Sequence, residues 1–94
     1  MKKFEQQDNR KKGRFVLYDD EVFAGEITYA WSGEGKIIVD HTGVEEQFGG
    51  KGYGKLLVMK IVEFAREKHI KIVPVCSFAQ KVFDRDQSIQ DVKF

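Results

Sequence analysis

Four glycines fall within the six residues Gly49-Gly50-Lys51-Gly52-Tyr53-Gly54, and Lys55 follows directly. A backbone without Cβ atoms can approach a ligand closely. Where such a run opens a helix, the N–H groups of the first turn lack partners and point outward. Here they would lie beside Lys51 and Lys55. Hydrogen bonds from those groups, together with the positive end of the helix dipole, suit a phosphate. A plain flexible connector needs neither this placement between a strand and a helix nor the lysines. Two nucleotide motifs with similar glycines are excluded. The stretch from Gly49 to Lys55 has Walker A spacing, but Leu56 stands where a Ser or Thr hydroxyl should hold Mg²⁺. Gly50, Gly52 and Lys55 lack the third glycine of a dinucleotide fingerprint, and no βαβ unit precedes them.

Two further side chains are candidates for chemistry. Cys76 ends an apolar run and is followed by Ser77-Phe78-Ala79-Gln80, which has the spacing of a capping box with Ser77 as N-cap. A helix N-terminus lowers a thiol pKa, which makes Cys76 a candidate nucleophile. The competing reading is a buried cysteine that serves as a small hydrophobe. His41 is a candidate base, toward an amine or toward Cys76, because its unperturbed pKa lies near neutrality. A hydrogen-bonding structural role at a strand end is its alternative. Glu45 and Glu46 are base candidates of the same kind, with a solvated loop as the simpler reading, and His69 fits the dipole at a helix C-terminus. A single cysteine excludes an internal disulfide and a multi-cysteine zinc site, and no metal is expected.

The elements that position these residues follow from hydrophobic period. Phe4 to Gln6 reads as a short strand, Asp8 to Gly13 as a polar turn and Arg14 to Tyr18 as a strand closed by Asp19-Asp20. From Glu21 to Trp31 the pattern alternates, which places Phe23, Gly25, Ile27, Tyr29 and Trp31 on one face as core. After the turn Ser32 to Gly35, Lys36 to Val44 makes a third strand of this antiparallel series. Lys55 to His69 is predicted helical, with Leu57, Val58, Ile61, Val62 and Ala65 inward. Ile70 to Cys76 is a strand in which Pro74 forbids full pairing, Ser77 to Arg85 a short helix, and Ser88 to Phe94 a strand that could close the sheet.

In this setting the glycine loop resembles the pyrophosphate-binding signature of the GNAT acetyltransferase superfamily, Gln/Arg-x-x-Gly-x-Gly/Ala, at Gly52 and Gly54, with Gly49 in place of the Gln or Arg. Downstream, Cys76, Ala79 and Phe83 fall on the family's Asn-x-x-Ala-x-x-x-Tyr pattern. Phe83 takes the place of the tyrosine that often serves as general acid, and has no proton to give. The resemblance runs from about Glu21 to Arg85 without the family's first two helices, and is similar to a small subfamily marked by His41-Thr42 before the loop and a cysteine after the fifth strand. It implies an α/β (α+β) fold: a truncated GNAT unit over residues 1–94, with a mostly antiparallel sheet, a splayed parallel strand pair and two helices. It also implies acetyl-CoA or coenzyme A bound by Val44, Gly49, Gly50, Lys51, Gly52, Tyr53, Gly54, Lys55 and Ser77. The pantetheine arm would lie in the splay and pair with backbone near Val44 as an added strand does.

Composition bounds what remains. Ninety-four residues fit one domain, and 41% hydrophobic with 33% charged residues is a globular balance. A net charge of +1 gives no global pull toward nucleic acid or a membrane surface. The polar start lacks an apolar signal core, so the cytoplasm is the expected compartment. Two functions compete: an N-acetyltransferase acting on an amine, and a coenzyme A-binding module that senses or carries the acyl group without turnover. The missing tyrosine at Phe83 and the missing first helices, which usually build the acceptor site in the family it resembles, favour the module more than they would in a full-length member. A monomer or a weak homodimer through a short sheet edge is expected.

Overall fold

A computed structural model describes residues 1–94 in full. Four antiparallel strands follow one another as a meander: β1 (Lys2–Asp8), β2 (Lys12–Asp19), β3 (Val22–Trp31) and β4 (Lys36–Val44). A short 3-10 turn at Glu46–Phe48 and the glycine loop lead into α1 (Tyr53–Lys68), and the chain returns in β5 (Lys71–Pro74), parallel to β4. The order across the sheet is β1-β2-β3-β4-β5. Then come α2 (Ser77–Arg85) and a 3-10 helix at Gln87–Val92.

Turn chemistry fixes the meander. Asp20 and Glu21 both have positive φ (49° and 70°) between the paired Asp19 and Val22, the geometry of a type I′ hairpin turn. Helix α1 lays Leu57, Val58, Ile61, Val62 and Ala65, all fully buried, across Phe15, Leu17, Ile27, Tyr29, Ile37 and Val39 of the sheet. Burial of each such aliphatic side chain is worth about 1.5–3 kcal/mol. The helix begins two residues before the expected Lys55, because Gly52 adopts φ +80° and acts as its cap.

Three expectations need correction. Phe23 is not part of the core face. Leu17 pairs with Gly25 and Tyr18 with Phe23, so Ala24 is an extra residue in a β-bulge. The bulge resets the alternation: Ala24 and Gly25 are both buried, and Phe23 turns to meet Tyr18 edge-on. The last segment is not a strand either. Ile89 and Val92, three apart and buried, suit a 3-10 turn rather than alternation. Arg66 clamps that turn by donating to both Asp91 oxygens (3.0 and 2.9 Å) and to the Ser88 carbonyl (2.6 Å). Only an isolated bridge between Ile72 and Lys93 touches the sheet. Finally, β5 stops at Pro74, two residues short of the expected end.

That early stop shapes the site. Ladder pairing of β4 with β5 runs from Lys36↔Lys71 to Val39↔Pro74 and no further. The N–H groups of Val75 and Cys76 both donate to the Val39 carbonyl (2.9 and 3.0 Å), after which the chain turns into α2. The rest of β4, from Asp40 to Val44, has no strand partner on that side. The strands splay there.

Candidate coenzyme-binding and thiol site

The splay opens into a cleft of about 360 Å³ lined by Thr42, Val44, Phe48, Gly49, Gly50, Gly52, Tyr53, Gly54, Lys55 and Phe78. Most of the residues expected to hold a phosphorylated ligand thus share one cavity. Lys51 and Ser77 are exposed and lie outside its lining.

The loop is built to present backbone. Gly50 and Gly52 have φ of +78° and +80°, and a Cβ on either would meet nothing within 4 Å. The loop's outer side is therefore open. The first helical bond runs from the Leu56 N–H to the Gly52 carbonyl (3.1 Å), so the N–H groups of Tyr53, Gly54 and Lys55 have no backbone acceptor. The loop's ends are tied together: the Phe48 and Tyr53 rings stack at 5.7 Å, and the Tyr53 hydroxyl donates to Asp19. That bond raises the Tyr53 pKa and commits the only phenol in the cleft.

Gly54 differs from its neighbours. A Cβ there would lie 2.7 Å from Cζ of the Phe78 ring, the outer end of a side chain that is itself 39% exposed, so the ring would have to move aside. Gly54→Ala sets displacement of that ring, at most about 1–3 kcal/mol, against about 1 kcal/mol of better helix propensity, so a net loss of stability is expected only if the ring is held in place. Urea denaturation measures this directly, and a raised midpoint would mean Phe78 swings away freely.

Cys76 is the N-cap of α2, the role expected of Ser77. Its side chain makes no capping hydrogen bond, although the N–H groups of Phe78 and Ala79 are close enough to act on the sulfur electrostatically. Gln80 correspondingly completes no capping box, donating instead to the Val75 carbonyl (3.0 Å). The Cys76 thiol is half-buried and lies 3.6 Å from the Thr42 hydroxyl, across the splay. Burial alone would raise its pKa. The Ala79 N–H, the Thr42 hydroxyl and the Phe78 N–H oppose that, and the net shift is downward. Thr42 also lines the cleft, so the thiol borders the cavity through its partner.

The structure does not bring His41 to Cys76. Thr28 pairs with His41 and Tyr29 with Val39, so Asp40 is the extra residue of a second bulge. Simple alternation from Ile37 and Val39 would have aimed His41 into the cleft. The bulge instead gives that face to Thr42 and Val44, and His41 leans over Gly43, with Nε2 2.9 Å from where its Cβ would be. Glu45 and Glu46 are exposed and outside the cleft lining. Phe83, at the position of the family's acid, is buried in the core. Thr42, Phe48 and Phe78 are site residues that sequence reasoning did not assign. Thr42 carried a signal through the His41-Thr42 pair of the resembled subfamily; Phe48 and Phe78 carried none.

The family model for the GCN5-related N-acetyl-transferases matches residues 14–92. The chain belongs to the GNAT family. The match reaches further toward both ends than the motifs alone, and takes in most of β2 and the closing 3-10 helix. A GCN5-like protein from Staphylococcus aureus, solved by solution NMR, is 38% identical, with a TM-score of 0.76 over 98% of this chain and 87% of that one. At 21% identity, the ribosomal-protein-alanine N-acetyltransferase from Brucella melitensis biovar Abortus shares the GNAT fold with a TM-score of 0.71, over 82% of this chain and 62% of its own. A GNAT family acetyltransferase from Elizabethkingia anophelis with acetyl-CoA bound shares it at 16% identity and a TM-score of 0.66, over 80% and 52%. This GNAT chain thus spans between half and two thirds of those two larger enzymes. No curated protein matches the sequence. No helix is long and apolar enough to cross a membrane.

Proposed function

We propose that this GNAT chain binds acetyl-CoA in the β4–β5 splay and transfers the acetyl group to an amine through Cys76. The observation that carries this reading is the placement of the thiol: it caps α2, faces Thr42 across the splay and is held below its ordinary pKa. The residues fit the ligand. Unpaired N–H groups of the α1 start and Lys55 suit the diphosphate, and the unpaired edge of β4 at Thr42 to Val44 suits an amide-bearing arm. Lys51, exposed beside the loop, adds long-range attraction.

In the proposed step the Cys76 thiolate attacks the thioester carbonyl, forming a new C–S bond as the bond to the coenzyme sulfur breaks. Coenzyme A leaves as its thiolate, which needs less protonation than an alkoxide. An unprotonated amine nitrogen then attacks the S-acetyl group, the C–S bond to Cys76 breaks, and the amine's proton passes to water. His41, on the opposite face, does not serve Cys76 as base in this scheme. The absence of a free phenol in the cleft is consistent with it. A reduced thiol requires a reducing compartment, so we place the protein in the cytoplasm. The free edge of β1 carries Lys2, Lys3, Glu5 and Asp8, charges that oppose strand addition and favour a monomer.

One observation favours the second reading, a coenzyme A-binding module without turnover: Phe83 replaces the acid and is buried. Intact-mass measurement with acetyl-CoA, followed by thiol-release assay with an added amine, separates the two. A hydroxylamine-labile gain of one acetyl group, lost on adding amine with release of free thiol, is expected. Binding without either signal would establish the module instead.

A further inference from the structure

The glycine loop is not held by its own backbone. None of the N–H groups from Gly50 to Lys55 donates to a backbone carbonyl: the last bond before them runs from Gly49 to Glu46 (3.0 Å), and the first after them from Leu56 to Gly52 (3.1 Å). A stretch this rich in glycine loses much conformational freedom when it is fixed. What closes it is the stacked pair of rings at its ends, Phe48 and Tyr53. The Tyr53 ring is held in turn from outside the loop: its hydroxyl donates to Asp19, and Lys2 Nζ lies 5.4 Å from its centroid. Asp19 is the register partner of Lys2 on one side and of Val22 on the other, so its backbone is fixed between two strands. It does not line the cleft, forms no ion pair, and has the Tyr53 phenol as its side-chain partner. By charge alone, a carboxylate joined to the cleft wall opposes an anionic ligand. Any help it gives to binding must pass through the phenol.

We propose that Asp19 is a positioning residue for the coenzyme: by holding the Tyr53 ring against Phe48, it keeps the glycine loop in its ligand-ready form before the ligand arrives. The inference rests on the coenzyme A reading of the cleft and adds to it a residue that does not touch the ligand. Ordering a loop in advance removes that cost from the binding step. Breaking the Asp19 bond frees the ring, and with it the residues between Phe48 and Tyr53, so the cost returns to binding.

Calorimetric titration of coenzyme A into wild type, Asp19→Ala, Asp19→Asn and Tyr53→Phe tests it, with amide NMR relaxation of the ligand-free proteins as a second readout. Asp19→Ala and Tyr53→Phe each delete the bond and should raise the Kd about tenfold, as loss of one charge-assisted hydrogen bond allows. The double variant should bind no more weakly than either single one, because both remove the same interaction. Asp19→Asn keeps an acceptor oxygen and should stay within about twofold of wild type. The loss should persist at high salt, since it does not act through charge. Without ligand, order parameters at Gly50 to Gly52 should fall below about 0.6 in Asp19→Ala and Tyr53→Phe, from about 0.85 in wild type. Should Asp19→Ala unfold, Tyr53→Phe reads the same bond and keeps the ring. A lowered melting temperature with Kd and loop order unchanged would reduce Asp19 to a stabilising role and overturn the proposal. Additive losses in the double variant, an Asn variant as weak as the Ala one, or tighter binding in Asp19→Ala would overturn it too. Failure of wild type to bind coenzyme A would overturn the coenzyme reading itself, and this inference with it.

Discussion

Cys76→Ser is expected to abolish the acetyl adduct and to lower amine acetylation by about 10³-fold or more, the scale seen when a covalent nucleophile is lost. Coenzyme A affinity should be unchanged, because Cys76 is outside the cleft lining and touches the cavity only through Thr42. The pH dependence carries a sign. The thiolate is the reactive form and exists above the thiol's pKa. Partial burial would raise that pKa, but the Ala79 N–H, the Thr42 hydroxyl and the Phe78 N–H hold it below the ordinary thiol value, so adduct formation should rise with pH and level off below the range of a free cysteine. Thr42→Val removes one of the groups that stabilise the thiolate, so the plateau should move to higher pH. A rate in Cys76→Ser within twofold of wild type would exclude the covalent route, and a pH profile unmoved in Thr42→Val would remove Thr42 from it.

Gly52→Val should have the second largest effect, on binding. Gly52 caps α1 at φ +80°, and a left-handed conformation costs an L-residue about 1–2 kcal/mol. For a domain of this size that cost lowers the melting temperature by roughly 4–16 °C. A valine side chain would also project into the open space over the loop that the ligand would fill. Loss of one or two charge-assisted hydrogen bonds raises the coenzyme A Kd by about 100-fold. Strain and ligand loss are separated by a matched control. Gly33 has φ +78°, also with no neighbour within 4 Å, and lies in the β3–β4 turn away from the cleft. Gly33→Val should lower stability similarly and leave coenzyme A affinity intact. Equal affinity loss in both variants would show that strain alone weakens binding, and unchanged affinity in Gly52→Val would remove the loop from the site.

Period and local chemistry, both contained in the sequence, were enough to locate β2 through β4, α1 and α2, and to single out the glycine loop. The apolar positions Leu57 to Ala65 face the sheet because a 3.6-residue period allows nothing else, and the helix start follows from glycine's freedom at positive φ. The same local logic brought Cys76 to a helix N-terminus. It misjudged the cap by one residue, because a serine is the commoner cap while the chain's turn off the Val39 carbonyl falls at Cys76. What decided the site was not local. The bulges at Ala24 and Asp40 are set by how neighbouring strands register against each other, and each moves every later side chain to the other face. One of them turned Phe23 away from the core; the other gave the cleft to Thr42 and Val44 and sent His41 to the far side. Phe78 sits on Gly54 only because α1 and α2 pack side by side. Sequence therefore determined which residues could bind a phosphate and supply a thiol. Strand register and helix packing determined which of them meet, because alternation along a strand is counted from its pairing partner.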